Sequence, residues 1–249
     1  MACALGLSRA GFYKRLSRKA TKRDEVDIQL KAELLQIYQQ SRRTYGLPRL
    51  MKALKNRAIA CGTGRLQRLQ KSLQIQGAIR KPRFIRTTDS NHDHVISPNL
   101  LKRNFSVEAP NRVWVSDLTY LRTAQGWLYL CVFLDLFSRR IVGWSMSDNM
   151  EASNTCRALE MALGNRRPEA GLTIHSDRGV QYASTEFRQL LKRRGFIQSM
   201  SGKGDCLDNA CAESFFGTLK SELTANVFGS YAEARREVFD YIETFYNKE

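Results

Sequence analysis

The sequence predicts a mixed α/β sheet domain preceded by an all-helical, strongly basic region, on three observations. The first is length with composition: 249 residues, 43% hydrophobic and 10% aromatic, suffice for one or two domains with a real core and are too apolar for a disordered or collagen-like chain. The second is a change of period, from apolar residues three and four apart in the first third to short β-branched and aromatic runs after Val113. The third is charge. Residues 1–110 hold 23 Lys and Arg against 7 Asp and Glu, whereas 111–249 hold 17 of each, so the whole formal charge of +16 lies in the first part. That asymmetry points to a nucleic-acid-binding module joined to a domain with a different task.

Residues 1–85 read as helices. Ser8 is a good N-cap for a helix over Arg9–Leu16. Asp27–Gln39 carries Ile28, Leu30, Leu34, Leu35, Ile37 and Tyr38 mostly at helical spacing. After Tyr45-Gly46-Leu47-Pro48 a third segment holds Leu50, Met51 and Leu54, and Thr63 precedes a fourth with Leu66, Leu69, Leu73 and Ile75. Arg49, Lys52, Lys55, Arg57, Arg65, Arg68 and Lys71 punctuate the last two, so short helices, glycine turns and basic faces fit a helix-turn-helix type of module. Of these, Arg49, Arg65, Arg68 and Lys71 are the expected DNA contacts. Residues 86–110 show no sustained periodicity and read as a linker.

From residue 111 to 249 the pattern is that of the sheet domain. Val113–Leu121, Trp127–Leu134 and Arg140–Met146 suggest an antiparallel meander. A helix over Glu151–Leu163, a strand at Leu172–His175, a helix at Ser184–Arg194 and a short strand at Phe196–Met200 follow. A glycine-rich loop, Ser201–Leu207, leads into a helix near Asp208–Leu223. Ser230 and Glu233 form a capping box for the last helix, which carries Val238, Tyr241, Ile242 and Phe245.

Several classes are excluded. The longest apolar run, Trp127–Leu134, has eight residues before Asp135 interrupts it, and a membrane-spanning helix needs about 20. The N-terminus does not read as a signal peptide, so a cytoplasmic chain with no membrane partner is expected. Cys3, Cys61, Cys131, Cys156, Cys206 and Cys211 show no zinc-finger spacing and read as reduced thiols. His92 and His94 flank Asp93 in a polar stretch that reads as solvated linker rather than metal site.

Three acids are out of place. Asp117 interrupts a strand, where aspartate is depleted and an unpaired carboxylate costs several kcal/mol unless it is solvated or bound. Asp177 ends the apolar strand Leu172–Ser176, and the carboxyl end of a strand is where α/β folds place chemistry. Glu213 borders the buried stripe Ala212, Phe216, Leu219 and Leu223 of its helix, with Asn209 and Lys220 on its own face. Three carboxylates on rigid elements can hold two hard divalent cations for phosphoryl transfer. On spacing alone each acid could equally be a cap or ion-pair partner; Asp135 is a rival, and Asp208 could simply cap its helix.

Four ordered segments carry a resemblance: Trp114-Val115-Ser116-Asp117-Leu118-Thr119-Tyr120, Asp135 to Trp144, His175-Ser176-Asp177-Arg178-Gly179-Val180-Gln181-Tyr182 and Asp208-Asn209-Ala210-Cys211-Ala212-Glu213-Ser214-Phe215-Phe216. Together with the 35 residues between Asp177 and Glu213, they resemble the OrfB-type transposases of bacterial insertion sequences, within the DDE transposase and retroviral integrase superfamily. The likeness spans about residues 113–246, and Arg43–Lys81 looks like that family's upstream helix-turn-helix region. It implies a ribonuclease-H-like five-stranded core in which Asp117, Asp177 and Glu213 are catalytic and bind two Mg²⁺ or Mn²⁺ ions, with no zinc. It also implies nicking at the element's ends and strand transfer by the freed 3′-hydroxyl. DNA contacts at Arg178, Lys203 and Asn209 flank that site. The implied partners are the element's terminal repeats, target DNA, further copies of the chain and an upstream reading-frame product as fusion partner. Relatives continue past the final helix into a basic tail, whereas this sequence stops at Tyr246-Asn247-Lys248-Glu249. The alternative is therefore a truncated, inactive remnant that binds DNA or inhibits an intact enzyme.

Overall fold

The computed structural model describes residues 10, 13, 21–78, 95–202, 206–223 and 227–248. Of the helix expected from Ser8 only Ala10 and Tyr13 are described, both helical, and the pair His92 and His94 and Lys203 lie outside the described residues. The chain divides into two compact units, residues 1–79 and 80–249. Among the described residues no helix is long and apolar enough to cross a membrane.

In the first unit, helices α1 (Lys22–Gln40), α2 (Leu47–Asn56) and α3 (Thr63–Ser72) bury Leu30, Leu34, Ile37, Leu50, Leu54, Leu66 and Leu69 against one another. Helix α1 starts five residues before the expected Asp27. Thr21 and Asp24 form a capping box there: the Asp24 N–H donates to Thr21 Oγ1 and the Thr21 N–H to Asp24 Oδ2. Pro48 sits in the first turn of α2, where its missing N–H costs nothing. The unit is tied shut where the Tyr38 hydroxyl donates to the Gln76 carbonyl (2.8 Å) and the Ala78 N–H to the Thr44 carbonyl (2.8 Å).

In the second unit, β1 (Val113–Thr123), β2 (Gly126–Asp135) and β3 (Ile141–Ser147) form the expected antiparallel meander. Strands β4 (Thr173–Ser176) and β5 (Ile197–Met200) then add in parallel, giving one sheet of order β3-β2-β1-β4-β5. Helices α4 (Ala152–Arg166), α5 (Val180–Ala183) and α6 (Thr185–Arg193) lie between these strands in the chain, and residues of all three share the core of one face with Trp114, Cys131 and Phe133. Helices α7 (Ala210–Glu222) and α8 (Tyr231–Phe239) cover the other face, where Ala212, Phe215, Phe216 and Leu219 meet Val115, Leu121, Leu128 and Val132.

Three details differ from expectation. Helix α4 runs on to Arg166 and ends at Arg167, whose φ of 46° is left-handed, rather than stopping at the expected Leu163. A short 3₁₀ turn, Cys206–Asn209, precedes α7, and a π-helical turn, Asp240–Phe245, follows α8. At Ser230 only half of the capping box forms, because Glu233 accepts from the Gly229 N–H (2.6 Å) instead of that of Ser230. Gly143 answers a close approach: a Cβ there would run into the Ala158 carbonyl and stand 2.6 Å from Ala162 Cβ, so its absence lets α4 settle on β3.

Candidate active site

Strand β4 stops early. It pairs with β1 only over Val113–Val115, with Val115 opposite His175, and beyond that point β1 runs on paired with β2 alone. Two residues further along both strands the same register brings Asp117 beside Asp177. Both are half-buried and line one pocket of about 20 Å³ together with Leu118, Thr119, Tyr120, Tyr129, Met150 and Gln181. That space is on the order of one water and far too small for a nucleotide.

Backbone donors hold both aspartates. The Leu118 N–H donates to Asp117 Oδ1 (2.8 Å), and the Gly179 N–H to Asp177 Oδ1 (3.0 Å). Burial is the main reason that the Asp117 carboxyl is pushed well above the ordinary carboxylate range; the charge of Asp177 adds to it and that of Glu213 adds further. The Leu118 N–H and the Lys220 ammonium pull the other way. Glu213 sits in the first turn of α7, exposed, and does not line the pocket. As they stand, no three Asp, Glu, His or Cys residues among those described are gathered closely enough to hold one ion. Asp117 and Asp177 form the inner pair and Glu213 stands outside it, within electrostatic range.

The rival acids have other work. Asp135 is fully buried and accepts from the Asn111 N–H (3.1 Å), the Phe137 N–H (2.9 Å) and, longer, the Ser138 N–H (3.4 Å). It fastens the β2–β3 turn to the start of β1. Asp208 does not cap α7. Its carboxylate accepts from Asn99 Nδ2 (2.6 Å) and the Gly202 N–H (3.1 Å).

The expected DNA contacts divide. Arg178 Nε donates to the Ser201 carbonyl (2.7 Å), so this side chain holds the loop after β5 beside Asp177. Asn209 is 3% exposed and donates from Nδ2 to the carbonyl of Ser116 (3.0 Å), which places it under the site as a brace on β1 rather than on the surface. In the helical unit Arg65 and Arg68 both reach Asp27, at 2.6 and 3.1 Å, while Arg49 lies over the Tyr45 ring and Lys71 is exposed at the end of α3. Lys220 was assigned no role from sequence. It lies two turns beyond Glu213, stands over the Tyr120 ring (4.8 Å to its centre) and acts on the Asp117 carboxyl. Its seven-residue spacing from Glu213 was the available signal.

A sheet of this order, with two aspartates at the end of the β1–β4 seam and a basic three-helix unit before it, belongs to the integrase-core class. The Integrase core domain family matches residues 107–206 and again 213–249, and the HTH-like domain family matches 25–83. Over its full length the chain is 42% identical to the "Insertion element IS600 uncharacterized 31 kDa protein" of Shigella sonnei, of which it covers 92%. It is 38% identical to "Transposase InsF for insertion sequence IS3A" of Escherichia coli (strain K12), again over its full length and 87% of that protein. The chain belongs to the IS3-family insertion-sequence transposases, DDE-type enzymes of DNA transposition. Among solved structures it is similar to the HTLV-2 integrase catalytic core domain in complex with magnesium, at 22% identity and a TM-score of 0.40 over 46% of this chain and 70% of that one.

Proposed function

We propose that this chain nicks DNA at the ends of its element and joins the freed 3′-hydroxyl to target DNA, with Asp117, Asp177 and Glu213 as the catalytic carboxylates. The observation that carries this reading is the pairing of Asp117 with Asp177 in one pocket, where burial and the negative charge of the neighbouring carboxylates push the Asp117 carboxyl well above its ordinary range. A divalent cation relieves such a charge, and a set of carboxylate oxygens with no Cys or His among them suits Mg²⁺ or Mn²⁺ better than zinc. Asp117 and Asp177 would hold the metal from the sheet and Glu213 from α7, with two ions as the expected complement. Bound there, the metal supplies charge stabilisation at the reacting phosphate and lowers the pKa of an attacking oxygen.

In the first reaction a water oxygen bonds to phosphorus and the bond to the element's 3′ oxygen breaks. That oxygen takes a proton and leaves as the 3′-hydroxyl, with a 5′-phosphate on the flank. In the second, this hydroxyl attacks a target phosphorus and displaces the target's 3′ oxygen, which receives the proton. One phosphodiester replaces another, so no high-energy cofactor is consumed. Lys220 presents its ammonium at the pocket's edge, where a scissile phosphate carries charge. The helical unit binds DNA through Arg49, Arg65, Arg68 and Lys71, with Arg178 and Lys203 of the catalytic unit making further contacts of their own. Several copies of the chain bridge the two ends, and an upstream reading-frame product strengthens end recognition.

A strand-transfer assay on labelled DNA bearing the element's ends, with Mg²⁺ or Mn²⁺, tests the proposal. Joined products that vanish in Asp177→Asn support it. Hydrolysis without joining makes the chain a nuclease. DNA binding without any metal-dependent product, from folded protein, makes it a binding-only inhibitor of an intact transposase.

A further inference from the structure

Residues 97–103 fall in the stretch expected to be a linker, yet they are laced to the catalytic unit. Ser97 Oγ donates to Gln198 Oε1 (2.9 Å), the Met200 N–H donates to the Pro98 carbonyl (3.3 Å), and the Leu100 N–H donates to Ser199 Oγ (2.9 Å). The segment thus lies along β5, the last strand of the sheet. At its tip Asn99 donates from Nδ2 to Asp208 Oδ2 (2.6 Å), while its own Oδ1 is held by the Lys102 N–H (2.9 Å), and Arg103 Nε stands 3.7 Å from Asp208 Oδ1.

Asp208 is 2% exposed, a carboxylate at a depth where each lost partner is costly. Besides Asn99 it accepts from the Gly202 N–H (3.1 Å), so one side chain ties Asn99 and Gly202 to the 3₁₀ turn that precedes α7. The next residue, Asn209, braces the Ser116 carbonyl directly before Asp117, and Glu213 follows in the first turn of α7. On the strand side His175 Nδ1 is within 2.8 Å of Ser199 Oγ and its Nε2 within 3.3 Å of Ser201 Oγ, which ties the end of β5 to the strand that carries Asp177 at its end.

We propose that Asn99 and Asp208 form a clamp that positions the head of α7, and with it Glu213, against the Asp117–Asp177 pair. The segment before the catalytic core is therefore part of the active site's framework. Asp208 and Asn99 are positioning residues, not catalytic ones: neither lines the carboxylate pocket. The effect on chemistry rests on the carboxylate reading above, whereas the clamp itself does not.

The experiment uses the full chain as wild type, Asn99→Ala, Asp208→Asn, the exchanged pair N99D/D208N, and Asp177→Asn as an inactive control. Hydrogen exchange follows the amides of Gly202 and residues 208–213, and strand transfer is measured against DNA and Mn²⁺ concentration. In Asn99→Ala, amide exchange at Gly202 and residues 208–213 rises about tenfold, as expected for one charge-assisted bond, while β2 amides are unchanged. The maximal strand-transfer rate falls about tenfold with the KM for DNA within about twofold, because positioning acts on the transition state and not on DNA binding. The exchanged pair recovers both. Unchanged exchange at Gly202 and residues 208–213 in Asn99→Ala overturns the clamp, and so does a rate that falls only with the folded fraction. If wild type yields no metal-dependent product, the catalytic reading fails, and the exchange result still decides the clamp.

Discussion

Asp135 is the acid most easily mistaken for a third catalytic carboxylate, and its replacement separates a structural from a chemical role. Its two shorter bonds, from the N–H groups of Asn111 (3.1 Å) and Phe137 (2.9 Å), are charge-assisted and buried, and the Ser138 contact (3.4 Å) adds little. At about 1.5–3 kcal/mol for each bond to a charged group, Asp135→Ala costs roughly 4 kcal/mol. Asp135→Asn keeps one oxygen for the turn but sets its NH₂ against a backbone donor, losing one bond, or about 2 kcal/mol. For a unit of this size that corresponds to a fall in Tm of about 5 °C for Asn and roughly twice that for Ala. Thermal unfolding by circular dichroism reads the shift, with Mn²⁺-dependent strand transfer measured well below the transition. A Tm within 1 °C of wild type in Asp135→Asn, together with lost strand transfer, would refute the structural assignment and place Asp135 in the site.

Three further outcomes follow from the same geometry. Because the Asp117 carboxyl titrates above its ordinary range in the folded chain, the native state holds a proton that the unfolded chain has already released. Stability of the metal-free protein therefore declines as pH rises from the ordinary carboxylate range to that raised value; Asp117→Asn flattens the decline, and an identical pH profile for mutant and wild type contradicts it. Gly143→Ala forces a methyl group into the Ala158 carbonyl and Ala162, so α4 must shift at a cost of about 1–3 kcal/mol, read as a lower urea midpoint with unchanged slope; no loss of stability means that β3 and α4 are not so close. DNA affinity of the full chain falls with salt by a log–log slope of about −0.9 for each phosphate neutralised, and a flat response between low and moderate salt rules out the basic unit as an electrostatic binder.

Much of the fold was legible because hydrophobic period survives in the sequence. The five strands and, the short α5 apart, the helices of the sheet domain lie within a few residues of where period and turn residues put them. Asp117 and Asp177 stood out for local reasons, one interrupting a strand and the other ending one. That they meet follows from the Val115–His175 register, a pairing across 60 residues that no local pattern contains. Asp135 interrupts a strand just as Asp117 does. What separates the two is which backbone N–H groups surround each, and only the folded turn supplies them. The same limit applies to Arg65 and Arg68, whose shared partner Asp27 lies on α1, about 40 residues earlier. It applies also to the segment around Asn99. That stretch shows no period because it lies along β5 through side chains and isolated backbone contacts instead of a regular ladder.

The metal site is the centre of the proposed chemistry, and calorimetric titration of Mn²⁺ into the purified chain tests it most directly. The expected result is saturable binding to wild type, lost in Asp117→Asn and Asp177→Asn and weakened in Glu213→Gln, with Asp135→Asn unaffected once its lower stability is allowed for. Equal Mn²⁺ binding by wild type and Asp177→Asn, both folded, would contradict the assignment of these carboxylates to the metal.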